Sequence, residues 1–587
     1  MGIFSCWTGL DVAAQAQPIR APAAPEPAGI CTPDTLQCSR HRLAEALAQA
    51  AREGPTYATA WAWLELAKAE SVDGHPNPAH ARQAFQTLKV VLSQYRRSRG
   101  AGQAAEEAEI FSTRLLPIFQ AAADAIAFDR LESGSPSTDR ALIAELLDLG
   151  ETARRAQIDI VLADSCEPLQ VPLTPSNLLA QETIVYPVVG RRHTYLLVGK
   201  KPGTGGQPLS REGWTVLLAG KGSGAEEVAG IADELIKNLP DAARHHAAEE
   251  NSSVGWGADD AQHLYSRLIA PLENRFLSDD EPDPDGLAPT LIFFPDPILR
   301  NVPWALLHGD RIASLDEPNY LVRRVAIAIG PGLAYVRPSP RPERRGRLLL
   351  GGLDEEYLRD FVPAAAQETD LQPRISGALV GGEDASLAGR PVRQAETSVA
   401  LGPFTRTRLE KELVRGGFAA VLLATHASYV SGASYILIHA SGTGTRIRMP
   451  VLDIEAKLRE GRRRANSLDL LILMACEGAV GKAGDLGLAG AALRGGASST
   501  IGALTVVQVG PATSYFGSTL DPERDFLSRY YDSKSRRSPA QALRDVQLYY
   551  LGVRGNPELG VVEDPGSGSP AAHPGNWGVF VVIGNWR

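Results

Sequence analysis

From about residue 290 onward the chain repeats one pattern, a short, largely apolar run with no polar alternation followed by a helical stretch. The runs are Thr290-Leu291-Ile292-Phe293-Phe294, Arg347-Leu348-Leu349-Leu350, Ala419-Ala420-Val421-Leu422-Leu423, Leu470-Leu471-Ile472-Leu473, Ser499-Thr500-Ile501-Gly502 and Val579-Phe580-Val581-Val582-Ile583. A strand exposed on one face alternates apolar and polar residues, whereas one covered on both faces is apolar throughout. Such strands alternating with helices predict an α/β fold, with a mostly parallel sheet sandwiched between two helical layers. Hydrophobic residues make up 44% of the 587 and charged residues 22%, enough apolar material for such a core.

The rest of the chain divides by texture. Residues 1–38 read as a tether or a signal remnant, with a Pro/Ala-rich stretch from 18 onward. Ala14-Gln15-Ala16 before Gln17-Pro18 resembles the cleavage end of a secretory signal without its basic and apolar regions. Export and a default cytoplasmic location both stay open. Residues 39–179 read as an all-α region. Leu43, Leu47 and Ala51 recur at fourfold spacing, and Ala60-Trp63-Leu64-Ala67, Phe85-Leu88-Val91-Leu92 and Phe111-Leu115-Ile118-Phe119 give further stripes. The pattern is that of an antiparallel helical array, tetratricopeptide-like or a plain bundle. A further amphipathic helix spans about Arg140 to Ile158, after the break at Ser135-Pro136. Residues 180–587 form the α/β region, split into halves at 180–345 and 346–587. It opens with a hairpin across Gly190-Arg191-Arg192-His193, a strand Trp214–Leu218, and helices at Ala225–Asn238 and Asp259–Leu272.

Several function classes lose support. The formal net charge is −9 and the basic runs at Arg341–Arg345 and Arg462-Arg463-Arg464 are short, which argues against nucleic acid as a partner. No run of eighteen apolar residues exists to span a membrane. Cys6, Cys31, Cys38, Cys166 and Cys476 form no CxxC pair, so a structural zinc site is not expected, though Cys31 and Cys38 could bridge in an exported protein. Gly220-Lys221-Gly222-Ser223-Gly224 lacks phosphate-loop spacing, and neither a G-x-S-x-G nor an H-E-x-x-H pattern is present. No cofactor and no metal is implied, although calcium stays open.

Two apolar runs end in reactive residues. Ala419–Leu423 leads into Ala424-Thr425-His426-Ala427, and Leu470–Leu473 into Met474-Ala475-Cys476-Glu477-Gly478. The carboxyl ends of strands line the ligand crevice of open α/β sheets, so His426 and Cys476 are candidates for one site. An imidazole beside a thiol promotes its ionisation, and can then protonate a leaving amine. The backbone N–H groups of Cys476 and Ala427 are the expected donors to the oxyanion. A caspase signature places Ala-Cys-x-Gly about 50 residues after a His, and Cys476 stands 50 residues after His426.

Blocks across residues 180–587 resemble the CHAT domain, a caspase- and separase-like family often fused to tetratricopeptide helices. They are Leu291–Leu307 (with Leu299-Arg300-Asn301-Val302-Pro303), Tyr320-Leu321, Ala326–Leu333, Phe404-Thr405, Ala424-Thr425-His426, Ala475-Cys476-Glu477, Leu486–Gly490, Gly495-Gly496-Ala497 and His573–Gly578. The resemblance implies a caspase-like α/β/α sandwich and a cysteine peptidase, with His426 as general base and Cys476 as nucleophile. Cys166 is then non-catalytic. The expected partners are a peptide or protein substrate and a regulatory protein bound by the helices.

Met474 stands where the family has Ser, Ala427 where Gly is common, and Leu504-Thr505-Val506-Val507 lacks the family's Trp. Met474 is therefore a candidate for narrowing the substrate pocket. Glu477 and Asp485 are candidates for reading a basic side chain, against a plain reading as solvated loop carboxylates. His439, His308 and Trp577 are expected to be structural. The stretch from Asp354 to Arg406 reads as a loop long enough to be cut or to act as a lid. The rival reading is a non-catalytic scaffold that keeps the fold and binds partners.

Overall fold

The computed structural model describes residues 36–70, 77–98, 111–127, 130–131, 135–161, 172–203, 209–248, 256–277, 287–312, 317–336, 338, 347–353, 375–380, 401–428, 434–441, 445–464, 468–476, 478–479, 487–507, 516, 526–531, 537–551 and 574–587. The chain forms two compact units, Met1–Gln103 and Ala104–Arg587. In the first, helices span Leu36–Glu53, Tyr57–Ala69 and Pro78–Ser98. Thr56 and Thr59 exchange side-chain-to-backbone bonds as a capping box, which satisfies orphan donors at the start of the second helix. Leu43, Ala62 and Leu66 pack together, and Ala60, Leu64, Phe85 and Leu88 are buried as the stripes predict. Trp63 is partly buried and its ring lies tilted against that of His80, with centroids 5.3 Å apart.

In the second unit the strands, in chain order, are β1 (Glu182–Val189), β2 (Thr194–Lys200), β3 (Trp214–Leu218), β4 (Thr290–Phe293), β5 (His308–Ile312), β6 (Glu317–Tyr320), β7 (Ala326–Ile329), β8 (Arg347–Gly352) and β9 (Ile375–Val380). They continue with β10 (Leu401–Gly402), β11 (Phe418–Ala424), β12 (Ala427–Ser428), β13 (Tyr435–His439), β14 (Arg446–Pro450), β15 (Leu470–Met474), β16 (Ser499–Ala503) and β17 (Phe580–Gly584). Among the described residues twelve strands form one sheet in the order β10-β9-β8-β11-β15-β16-β17-β7-β4-β1-β2-β3. Its neighbours are parallel except at β16–β17, β1–β2 and β2–β3. The expected mostly parallel α/β sheet is therefore the observed one. The direction reverses at β17, so the carboxyl ends of β1, β4 and β7 lie at the edge opposite those of β8, β11 and β15.

Both faces of this sheet are covered. Successive side chains of a strand point to opposite faces, so one strand feeds two cores. Ala420, Leu422, Leu470 and Ile472 join a cluster with Val228, Leu264, Leu543 and Val546. Val421, Leu423, Leu471 and Leu473 join another with Leu409, Leu413, Ile454 and Leu458. The helices supplying these contacts are Ala225–Ala248, Ala258–Leu268 and Pro539–Tyr550 on one face, and Arg406–Arg415 and Val451–Arg464 on the other.

The unit boundary falls at 103/104, whereas the sequence texture placed the change at about 180. The helices Leu116–Ala127 and Arg140–Val161 group with the sheet because their polar residues are spent on it. Tyr195 donates from its hydroxyl to Asp124 at 3.0 Å, and the Arg192 N–H donates to the same carboxylate at 2.9 Å. Arg154 is fully buried, stacks on Tyr186 at 3.8 Å, and donates to the carbonyls of Pro187 (2.9 Å), Pro295 (3.1 Å) and Phe294. Within the expected loop from Asp354 to Arg406, β9 and β10 extend the sheet, so that stretch is in part structural.

Candidate active site

β11 and β15 pair in parallel with the register Ala420↔Leu470 through Ala424↔Met474. The register offset is the same 50 residues that separate His426 from Cys476. Both residues therefore sit two positions past the same rung, at the same edge of the sheet. The Thr425 N–H continues the ladder by donating to the Met474 carbonyl at 3.1 Å. Every residue of both strands is buried, yet His426 is exposed and Cys476 half-buried. The strands supply a rigid floor, and the two reactive groups emerge where it ends.

The turn after Cys476 folds back over the sheet. The Ala479 N–H donates to the Ala503 carbonyl at 2.9 Å, and the Ala489 N–H donates to Gly478 at 3.0 Å. A Cβ on Gly502 would lie 3.0 Å from the Ala479 nitrogen and 3.1 Å from the Gly478 carbonyl carbon, so a larger residue there would have to push this backbone back by a few tenths of an ångström. The Cys476 Sγ lies 3.9 Å from the Val507 carbonyl in the segment that follows β16. Val506 beside it is an exposed apolar side chain.

After His426 the backbone enters a three-stranded antiparallel sheet in the order β12-β13-β14. Ala427, the expected second oxyanion donor, is half-buried and opens β12 opposite Ile436. Met474 is 3% exposed and belongs to the larger core cluster, a packing position beneath the sheet. Glu477 and Asp485 lie outside the described residues, as do Cys6, Cys31 and Cys166. Neither Cys38 nor Cys476 forms a disulfide among the described residues.

The other singled-out residues have structural partners. His439 is buried with Nε2 at 2.9 Å from the Leu353 carbonyl, and its N–H donates to the Phe404 carbonyl at 3.2 Å. These bonds tie β13 to the end of β8 and to the Phe404-Thr405 block. His308 lies between the carbonyls of Gly309 and Ala258, each at 2.9 Å. Trp577 is fully buried edge-on against Tyr320. Among the described residues no group of three or more His, Cys, Asp and Glu is placed to hold a metal ion. No helix among them is long and apolar enough to cross a membrane. In the sequence Thr425 stands out only as part of the Ala424-Thr425-His426 motif, and nothing there marks the Val507 carbonyl. A backbone carbonyl carries no signal in residue type.

An α/β/α domain with a His and a Cys just past the ends of adjacent parallel strands is the class that fold and site define. The CHAT domain family model matches residues 258–585, more than half of the chain, and the chain belongs to that family. No curated protein matches the sequence. Among solved structures, the Saccharomyces cerevisiae separase–securin complex at 2.6 Å resolution aligns with a TM-score of 0.41 and 10% identity, over 94% of this chain and 40% of that one. The same complex at 3.0 Å resolution gives 0.37 and 11% over the same shares. The chain thus spans about two-fifths of the length of the chain it aligns with.

Proposed function

We propose that this chain is a cysteine endopeptidase that hydrolyses peptide bonds with Cys476 as nucleophile and His426 as its acid–base partner. The observation that carries this reading is the register match, which sets both residues at one open edge of a buried sheet. His426 takes the thiol proton, and Sγ attacks the substrate carbonyl carbon to form a tetrahedral oxyanion. The N–H groups of Cys476 and Ala427 stabilise that oxyanion. Collapse of the intermediate breaks the C–N bond, the proton passes from His426 to the leaving amine, and an acyl thioester remains. Water, deprotonated by His426, then attacks the thioester and releases the acid and the thiol. The thiol lies 3.9 Å from the Val507 carbonyl in this structure, and bound substrate replaces that long contact.

Glu477 and Asp485 favour a basic residue before the cut. The tetratricopeptide-like helices of the first unit are the surface for a regulatory protein. The test uses purified wild-type and Cys476→Ala chains with a diverse peptide library read by mass spectrometry. Cleavage by wild type alone is expected, and new termini will show the preferred residue. Absence of cleavage, together with no selective labelling of Cys476 by a peptide electrophile, would favour the scaffold reading instead.

A further inference from the structure

We infer that Thr425 is a positioning residue for His426, acting through Leu437. The inference rests on the Cys476/His426 reading above. Thr425 is 2% exposed and stands between the last residue of β11 and His426. Its N–H donates to Met474, two residues before Cys476, at 3.1 Å. Its hydroxyl donates to the Leu437 carbonyl on β13 at 2.5 Å. The Leu437 N–H in turn donates to the His426 carbonyl at 2.8 Å. Both polar groups of the Leu437 backbone are thus bonded to the Thr425–His426 segment.

This clamp has a chemical consequence. The direction of the exposed His426 imidazole follows the backbone that carries it. Here the backbone on either side of the His426 Cα is tied to elements with different roles. The Thr425 N–H joins it to the strand that presents Cys476, and the Thr425 hydroxyl and His426 carbonyl join it to the β13 hairpin. Removing the hydroxyl leaves the Leu437 carbonyl without its donor beside a buried residue, and the His-bearing turn gains freedom. The thiol partner of His426 sits on a different strand, so a small shift of this turn changes their separation directly.

The experiment compares full-length wild type, Thr425→Val, Thr425→Ser and His426→Ala. Valine keeps the β-branched shape and removes the hydroxyl, whereas serine keeps the hydroxyl and removes the methyl. Each chain is assayed for kcat and KM on a peptide identified from the library. Each is also assayed for the pH profile of iodoacetamide alkylation at Cys476, read by mass spectrometry on folded protein. The expected result for Thr425→Val is a fall in kcat of about tenfold with KM within about twofold. Its alkylation profile should move toward that of His426→Ala, and Thr425→Ser should restore both. Wild-type kcat and profile in Thr425→Val would overturn the inference while leaving the dyad intact. If Thr425→Val does not fold, Thr425→Ser decides: near-wild-type values support the clamp, and a loss with its hydroxyl kept overturns it. Alkylation and cleavage that are indifferent to His426→Ala would overturn the dyad reading and this inference with it.

Discussion

The two edges of the sheet place ionisable side chains at the carboxyl ends of parallel strands and treat them in opposite ways. Past β1 and β4, Arg154 is fully buried, and three carbonyls and the face of Tyr186 surround it. Glu151 accepts from the Tyr186 hydroxyl at 2.8 Å and from the Leu333 N–H at 3.2 Å. Burial raises the Asp296 carboxyl, while Arg154 pulls it down. Past β11 and β15, His426 is exposed and the Cys476 thiol makes one long contact to a carbonyl. A reactive residue type at a strand end therefore does not define a site by itself. What separates the edges is whether those groups are buried in the fold or stand at the surface.

The largest expected effect that tests this contrast is at the sealed edge. Arg154→Met keeps the apolar length of the side chain and removes the guanidinium. It strands the Pro187, Phe294 and Pro295 carbonyls and leaves Asp296 without its main cation. Leaving a buried acceptor without its donor costs roughly 1–3 kcal/mol, and three are stranded here. Urea unfolding followed by tryptophan fluorescence should show a loss of this size, with Cys476 alkylation unchanged in the folded protein. Retained stability with lost peptidase activity would break the contrast and make the sealed edge functional.

Much of this architecture could be read from the sequence, and the gaps have physical causes. The six apolar runs correspond to β4, β8, β11, β15, β16 and β17, because burial on both faces leaves an unbroken apolar signature. That signature carries no direction, so the reversal at β17 was not legible. β13 and β14 were missed because they are half-exposed and arginines interrupt β14, although Ile436, Ile438, Ile447 and Met449 preserve an alternation. An amphipathic helix does not reveal what it covers, so Leu116–Ala127 and Arg140–Val161 read as part of the helical region. The candidate site was more legible, since the spacing of His426 and Cys476 is the strand register itself.

A smaller effect sharpens the same contrast through pH. Burial pushes the Asp124 carboxyl up to about 6, against its bonds from Arg192 and Tyr195. An unfolded aspartate titrates at about 3.9. Between these values the folded chain holds a proton that the unfolded chain has released. This contribution is therefore fully present below about pH 4 and is lost as pH rises through about 6, by about 3 kcal/mol at most. Asp469, also raised by burial to about 6, acts in the same direction from a more open position. The stability of wild type minus that of Asp124→Asn, measured from pH 4 to 7, should fall across this window. A difference that stays flat would show that Asp124 is better solvated than its packing indicates.

The smallest expected change is at the open edge, and it tests the contrast from the other side. Cys476→Ala removes a half-buried thiol whose contact with Val507 is 3.9 Å long. The turn around it is held by backbone bonds from Ala479 and Ala489, which the substitution leaves in place. Substitutions away from core packing and buried networks shift stability by about 0.5 kcal/mol in either direction. Unfolding of Cys476→Ala should fall within that range even though peptide cleavage is abolished. A loss above about 2 kcal/mol would instead match a buried packing group. The thiol would then belong with the residues spent on the fold, and the two edges of the sheet would no longer differ in kind.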